Sequence, residues 1–475
     1  MKQSDLFIGV PVFRGVGVVE ETLRSIQQQT YGDFRVVISV DNADRESAAA
    51  CEPFTQDPRF ELVIHDTHLG WHGNFNWLVE HADLPYFSYW QQDDLADEDY
   101  LERLRAELAA HPDAAIAFAD IQWFGARTDL QTTPSIIGDR ASRVREHILR
   151  LSHIPFLGLM RTAHLPRIQP QLRDTPEEAS QQEFVFLARM AAAGTFRRVD
   201  GPLYHKRARD TSTHLRFQKF PEARRRREWL TMGSGLLEVA AGVHRRAQHD
   251  MLAEFVAERL GVHLPDRDYF YLPAALDREI TRFVTELLVE SPLPELAVPR
   301  RPRNRFLERV SHPAVRAGVE AAVQARRAHT NLERSLRRDG ETSVGFREGE
   351  DGALLLGQGW SIVGPDGTWS HSDEATILLP ELPEGRWQLT IEGVPRPSPP
   401  GAPSQSLGWA LGPDEPEPVP IGAGRVQVRF DVGPGNRGGT LRLAFPDAAS
   451  PASLGLSEDG RHLGFLLESI ELSRA

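Results

Sequence analysis

Cysteine and long apolar runs are nearly absent from this sequence. Its 475 residues include one cysteine, Cys51, so no disulfide can form within the chain. No stretch approaches the roughly 18 to 20 consecutive apolar residues that a membrane-spanning helix needs. The N-terminal residues also lack the pattern of a signal peptide. These absences predict a cytoplasmic protein whose membrane contact, where it has any, is peripheral.

The sequence also lacks an excess of basic residues. Lysine and arginine together number 54 against 67 acids, which gives a formal net charge of -13 at pH 7. Because clustered basic side chains hold nucleic acids, this balance argues against a nucleic-acid partner. A basic strip between Arg300 and Arg338 departs from the average. A solvated face is its simplest interpretation, and contact with anionic lipid at the inner face of the cell membrane is the alternative.

The hydrophobic pattern changes twice along a chain that is too long for one ordinary core. We predict an α/β domain over residues 1–214, a helical extension and linker over 215–341, and an antiparallel, jelly-roll-like β-sandwich over 342–475. The middle part has long runs with helical spacing. The last part has short alternating runs between Gly and Pro turns, which is typical of a sandwich.

Strands and helices alternate in the first part. The predicted strands are Leu6–Val12, Phe34–Val40, Arg59–His65 and Tyr86–Gln91, and the predicted helices are Val19–Gln28 and Asn74–His81. This order favours parallel βαβ units with right-handed crossovers. Ligands of such open sheets bind beyond the carboxyl ends of the strands. Three polar clusters fall there, at residues 13–15, 41–42 and 92–94.

Two adjacent carboxylates, Asp93 and Asp94, follow the last of these apolar strands. A hard cation such as Mg²⁺ or Mn²⁺ binds carboxylate oxygens and keeps positions for water and substrate phosphate. The alternative is a role at a helix N-terminus, because acids are favoured there and a helix is predicted to start near Tyr100. Asp93 and Asp94 alone therefore do not predict a metal site, and the neighbouring segments of the sequence must support it.

Those surroundings resemble the family 2 glycosyltransferases at four places in the same order. The matching segments are Ile8–Phe13, Val40–Asp44, Leu69–Asn74 and Gln91–Asp94. They look like the family's opening strand, its nucleotide contact, its Gly-Asn helix start and its DXD-type motif. The resemblance implies a Rossmann-like GT-A domain that uses a nucleoside-diphosphate sugar. One departure is Gln91, which stands where the fuller motif has an acid.

The resemblance also implies which residues bind the donor. Asp41 would contact the ribose or base, Asp93 the ribose or donor sugar, and Asp94 would hold Mn²⁺ or Mg²⁺ against the diphosphate. A cation at that place stabilises the charge on the departing nucleoside diphosphate. An ordinary turn residue is the alternative for Asp41. The residues implied to bind the nucleotide sugar are Pro11, Val12, Phe13, Asp41, Asn74, Asp93, Lys206 and Arg207.

A second segment, Gln181–Gly194, begins a predicted helix with an acid and ends it at a glycine. It resembles the family's ED-type helix, whose acid deprotonates the acceptor hydroxyl. Glu183 is therefore the candidate general base of an inverting transfer. A first-turn glutamate favoured by the helix dipole is the alternative. Glu177 and Glu178 are rival candidates, although the spacing to the glycine favours Glu183.

The segment Val199–Arg207 resembles the strand and loop that close over the pyrophosphate. His205 is a candidate metal ligand in it, and Lys206, Arg207 and Arg209 could neutralise phosphate charge. The family form has its histidine near the position of Arg207. A solvated loop histidine is therefore the alternative for His205.

These inferences combine into one functional prediction. The chain is expected to be a metal-dependent, inverting glycosyltransferase that acts on a hydroxyl of a bacterial-type surface polysaccharide or lipid-linked glycan. A non-catalytic glycan-binding or scaffold protein on a decayed transferase fold is the alternative, and homo-oligomer formation is left open. Segments around Trp360 and Trp369 resemble sandwich domains appended to polysaccharide-building transferases. Such tryptophans could stack on sugar, but a core position is the simpler interpretation.

Overall fold

A computed structural model describes most of the chain as two compact units, Met1–Leu252 and Ala253–Ala475. The described residues are 4–165, 182–209, 222–243, 277–290 and 313–475, without 362, 381, 402–403, 413–415, 423, 434–438 and 460. Much of the predicted helical extension and linker (residues 215–221, 244–276 and 291–312) and the rival acids Glu177 and Glu178 lie outside them.

The described strands of the first unit are β1 Leu6–Val12, β2 Phe34–Val40, β3 Phe60–Ile64, β4 Tyr86–Tyr89, β5 Leu95–Ala96, β6 Ala114–Gly125, β7 Leu130–Gln131, β8 Leu159–Arg161 and β9 Thr195–Ala208. These nine strands form one mixed sheet in the order β3-β2-β1-β4-β8-β6-β9-β5, with β7 paired to β6. Strands β3, β2, β1 and β4 are parallel to one another, β8 is antiparallel to both β4 and β6, and β9 is parallel to β6.

Seven described helices belong to this unit. They are α1 Val19–Gln27, α2 Arg45–Cys51, α3 Gly70–Glu80, α4 Tyr100–Ala110, α5 Arg140–Arg150, α6 Gln182–Ala193 and α7 Glu222–Ala241. Leu23 and Ile26 of α1 are fully buried, as their helical spacing predicts. Within the described part of the chain, no helix is both long enough and apolar enough to cross a bilayer.

Helix α1 connects the parallel strands β1 and β2, which confirms the predicted βαβ unit. Both strands are buried along nearly their whole length. Such near-continuous apolar runs are typical of parallel strands that are covered on both faces. Gly9 of β1 allows α3 to approach closely, because a Cβ atom there would lie 3.1 Å from the methyl carbons of Leu78.

Helices α8 (Asp277–Glu290) and α9 (Pro313–Asp339) precede two antiparallel sheets in the second unit. The first sheet has the order β10-β18-β13-β16, with β11 paired to β18, and the second has the order β12-β17-β14-β15. The strands are β10 Glu341–Gly345, β11 Thr368–Trp369, β12 Glu374–Leu378, β13 Gly385–Pro395, β14 Ser406–Leu411, β15 Glu417–Pro420, β16 Arg425–Val432, β17 Thr440–Ala444 and β18 Phe465–Arg474.

Residues of both sheets share one buried core, which confirms the predicted sandwich. Trp360 lies inside this core and its indole Nε1 donates to the carbonyl of Thr376 at 2.7 Å, so the simpler interpretation holds for this residue. Trp369 is partly exposed. The helices attach to the same unit, since His329 of α9 bonds the carbonyl of Leu378 at 2.8 Å.

Candidate active site

The carboxyl ends of β1, β2 and β4 meet at one edge of the sheet, where Val12 pairs with Val40 and Gly9 pairs with Tyr89. Gln92 joins the loops that follow β1 and β4. Its Oε1 accepts from the backbone N of Phe13 at 2.9 Å, and its Nε2 donates to the carbonyl of Phe13 at 2.9 Å. The loop segments of the predicted nucleotide site are therefore held to one another.

Asp41 follows β2 and is only 2% exposed. Its Oδ1 accepts from the backbone N of Leu69 at 2.7 Å, and its Oδ2 accepts from the backbone N of Gly70 at 3.0 Å. The same Oδ2 lies 2.9 Å from Nδ1 of His68, whose ring is 5.3 Å from the ring of Phe13. Asp41 thus caps the start of α3 beside Phe13, and its contact with a nucleotide stays a prediction.

The other residues near Asp41 that are predicted to contact the nucleotide sugar differ in how exposed they are. Asn74 is 2% exposed and its Nδ2 donates to the carbonyl of Ser39 at 3.0 Å, which ties α3 to β2. Val12 is buried, whereas Pro11 and Phe13 are half-buried. Among the predicted contacts beside Asp41, Pro11 and Phe13 therefore present accessible surface for a ligand.

Asp94 is the most enclosed residue of the motif, at 1% exposure. Its Oδ1 accepts from the backbone N of Arg207 at 2.9 Å, and its Oδ2 accepts from the hydroxyl of Tyr204 at 3.0 Å. The ammonium of Lys206 lies 3.3 Å from the same Oδ2. Burial raises the pKa of the Asp94 carboxyl, and the charge of Lys206 acts in the opposite direction.

The register of β9 decides which side chains reach Asp94. Ala96 of β5 pairs with Tyr204, and Leu95 pairs with His205. Because side chains alternate along a strand, Tyr204 and Lys206 point to one face and His205 to the other. Nε2 of His205 instead bonds Oδ1 of Asp97 at 2.7 Å.

Asp93 is more open than its neighbour, with a side chain that is 18% exposed. Its Oδ2 accepts from Nη2 of Arg209 at 2.6 Å, and its carbonyl accepts from Nε of Arg207 at 3.1 Å. Nη2 of Arg207 also reaches the carboxylate of Glu21 at 2.5 Å. Asp93 and Glu21 are therefore each matched by an arginine.

The predicted metal ligands are not brought together. Among the residues that the structure describes, no group of three or more His, Cys, Asp or Glu side chains could hold a metal ion. Both oxygens of Asp94 already accept from donors of the chain, and His205 is bound to Asp97. Because these atoms are already bonded within the chain, they do not fit an ion held by Asp94 and His205. Mn²⁺ or Mg²⁺ stays a prediction from the resemblance.

Glu183 lies in the first turn of α6 and is half-buried. Its charge and those of the aspartates act on Tyr89, at the end of β4. Burial raises the pKa of the Tyr89 phenol first, and the charges of Asp93, Glu183 and Asp94 raise it further. The role of Glu183 as the base stays a prediction.

Several residues of this site were not identified from the sequence. The Tyr89 ring packs against the rings of Phe75 and Phe156, each 5.1 Å away, and the Tyr204 hydroxyl donates to Asp94. The alternation of β9 could have revealed Tyr204, because it stands two residues before Lys206. Glu21 gave no comparable signal, since its partner Arg207 lies 186 residues away. Gln92 belongs to the predicted polar cluster at residues 92–94, but its bonds to Phe13, 79 residues away, were not visible in the local sequence.

Helix α5 holds both ends of the helix that carries Glu183. Nε2 of His147 bonds the carbonyl of Phe184 at 2.8 Å. About two turns further along α6, Arg143 donates from Nε to the carbonyl of Ala191 at 2.7 Å. His147 is fully buried, so α5 positions α6 through desolvated contacts.

The buried His147 predicts an acid-sensitive first unit. Burial lowers its pKa to about 4, against about 6.5 for an unperturbed histidine. The unfolded state takes up the proton first, so the free energy of unfolding should fall as the pH drops from about 6.5 to about 4, by up to about 1.4 kcal/mol per pH unit. Urea unfolding of the wild type and of His147→Gln should diverge in pH dependence over this range. Parallel pH profiles would contradict the prediction.

A mixed sheet with polar loops at its strand ends, an aspartate pair after β4 and a carboxylate on a neighbouring helix define the GT-A class of nucleotide-sugar-dependent transferases. Residues 7–164 match the family model described as glycosyl transferase family 2. This part of the chain is a family 2 glycosyltransferase domain, which confirms the family and enzyme class predicted from the sequence.

Three of the solved structures that are similar to this chain cover more of it than the family model does. S. aureus TarS 1–349 in complex with UDP-GlcNAc is 15% identical, covers 68% of this chain and 92% of its own, and superposes with a TM-score of 0.50. S. aureus TarS is 12% identical over 98% of this chain and 77% of its own, with a TM-score of 0.47. Mannosyltransferase PcManGT from Pyrobaculum calidifontis in complex with GDP-Man and Mn²⁺ is 14% identical over 55% and 76%, with a TM-score of 0.36. The first likeness shows a shared fold.

Proposed function

We propose that this chain transfers a sugar from a nucleoside-diphosphate sugar to a hydroxyl group of a surface polysaccharide or lipid-linked glycan, with inversion at the anomeric carbon. The aspartate pair Asp93 and Asp94 within the family 2 match over residues 7–164 supports this most directly. The charge of Glu183, which follows the matched residues, acts on the Tyr89 phenol together with the charges of Asp93 and Asp94.

The base acts on the acceptor. The Glu183 carboxylate takes the proton of the acceptor hydroxyl as its oxygen forms a bond to the anomeric carbon. The bond from that carbon to the diphosphate oxygen breaks on the opposite face, and the electron pair leaves with the nucleoside diphosphate. A single displacement of this kind inverts the configuration.

Positive charge for the leaving diphosphate has two potential sources. One is Mn²⁺ or Mg²⁺, as the family resemblance implies, and it needs ligands that the described residues do not assemble. The other consists of the basic side chains of β9 and the residue after it, which already lie beside the aspartates. Donor binding measured with and without divalent ion distinguishes the two.

Calorimetry with a panel of nucleoside diphosphates tests the donor half. One of them, with UDP tried first, should bind with a Kd between about 1 μM and 1 mM, the usual range of substrate affinities. Phe13→Ala should weaken it, since base-aromatic stacking contributes about 1 to 3 kcal/mol. Phe430→Ala, another half-buried phenylalanine, is the matched control and should change nothing. Absence of binding to every nucleotide would contradict the proposal.

A further inference from the structure

We propose that Lys206 and Arg209 take the place of a divalent ion at Asp93 and Asp94, so that the nucleoside diphosphate binds without added metal. The inference rests on the proposed function, because it concerns how the same site holds its donor. It follows from the contacts of these four side chains and from their charges.

Lys206 occupies the position that a metal ion at Asp94 would need. Its ammonium lies 3.3 Å from Oδ2 of Asp94 and also contacts Oε1 of Gln91, while its side chain is only 15% exposed. A carboxylate offers about four lone-pair positions. Three of those on Asp94 are used by Tyr204, Lys206 and the backbone N of Arg207. An ion at Asp94 would have to displace one of them.

The charges of the cluster already balance. Two negative charges, on Asp93 and Asp94, face two positive charges, on Lys206 and Arg209. The charge of Arg207 is matched by Glu21 at 2.5 Å, so it does not alter this sum. Sites for hard divalent cations depend on the number of anionic ligands. A divalent ion added to a neutral cluster would have little electrostatic gain.

Gln91 gains a role in this arrangement. An acid at this position would add the negative charge that a divalent ion needs. The amide oxygen of Gln91 instead accepts from Lys206 without adding charge. Gln91, where the DXD-type motif has an acid, and Lys206, which contacts it, therefore both favour nucleotide binding without a divalent ion.

Both cations keep donors for phosphate oxygens. Lysine has three N–H donors, and two polar contacts of Lys206 are seen. The Arg209 guanidinium is 33% exposed and donates to Asp93 from Nη2, although arginine has five N–H donors. Charge-assisted bonds from these groups suit an anionic diphosphate.

The wild-type protein alone can falsify the inference. Calorimetry with the nucleoside diphosphate in EDTA, and again with Mn²⁺ or Mg²⁺, should give the same Kd within error. Binding only with the divalent ion would overturn this inference and leave the proposed function standing. Absence of binding in both conditions would overturn the proposed function as well.

Variants test the lysine itself. Lys206→Gln should weaken binding in EDTA roughly 10- to 100-fold, the value of a hydrogen bond to a charged group. Arg127→Gln removes a positive charge from the exposed pair with Asp129 and should leave Kd unchanged. Unchanged affinity in a folded Lys206→Gln variant would overturn the inference.

Chemical protection gives a readout that needs no variant. The sequence has three lysines, Lys2, Lys206 and Lys219, and Lys206 is the sole lysine among the described residues. Mass spectrometry can therefore follow acetylation of Lys206 on its own. Nucleoside diphosphate in EDTA should protect Lys206, and equal labelling with and without the nucleotide would contradict the proposal.

Discussion

Glu183→Gln is expected to abolish sugar transfer while nucleotide binding is retained. The amide keeps the size and position of the side chain in the first turn of α6 but cannot take the proton of the acceptor hydroxyl. Loss of a general base typically lowers kcat by about 10²- to 10⁴-fold. Release of nucleoside diphosphate in the presence of acceptor measures kcat, and calorimetry measures donor affinity.

Glu146→Gln provides the matched control for this variant. Glu146 lies on α5 in an exposed pair with Arg150 one turn away, so its neutralisation should leave kcat unchanged. A Glu183→Gln enzyme with wild-type turnover would show that Glu183 is not the base. Glu177 and Glu178, the rivals outside the described residues, would then be the next to substitute.

The fold near the site could be predicted wherever the information was local. The predicted strands Leu6–Val12 and Phe34–Val40 match β1 and β2 at both ends, because each is a mainly apolar run with a charged residue within two positions of its end. The helix predicted from Asn74 begins instead at Gly70. The amide of Gly70 bonds to Asp41, which follows β2 and lies 29 residues earlier in the chain, so this cap was not visible in the local sequence.

The site residues also divide into those that the local sequence could predict and those that depend on distant strands. The motif gave the residue types after β4, and the structure keeps Asp93 and Asp94 at the sheet edge. The surroundings of Asp94 depend on β9, whose residue Tyr204 lies 110 residues away in the sequence. The pairing of Ala96 with Tyr204 sets the position of β9 beside Asp94. That register brings Lys206 to Asp94 and turns His205 towards Asp97. A local motif could not predict it.

Asp94→Ala is expected to destabilise the first unit strongly. The change would leave the ammonium of Lys206 and the hydroxyl of Tyr204 enclosed without their acceptor. Removing one partner of a buried ion pair costs about 3 to 5 kcal/mol. Because the chain forms two compact units and such chains commonly depart from two-state unfolding, hydrogen exchange of the β9 amides is a better measure than a single unfolding midpoint. Wild-type protection of β9 in this variant would contradict the prediction.

A double-mutant cycle with Lys206→Met shows whether the cost arises from the unpaired ammonium. Because the methionine needs no acceptor, Asp94→Ala with Lys206→Met should be less destabilised than the two single changes together, by about 0.5 to 3 kcal/mol. The exposed pair of Arg127 and Asp129, varied in the same way, should give no measurable coupling. Additive effects at Asp94 and Lys206 would mean that these side chains do not act as a pair. The same cycle repeated with bound nucleoside diphosphate should give a smaller coupling, since phosphate oxygens then supply Lys206 with another acceptor.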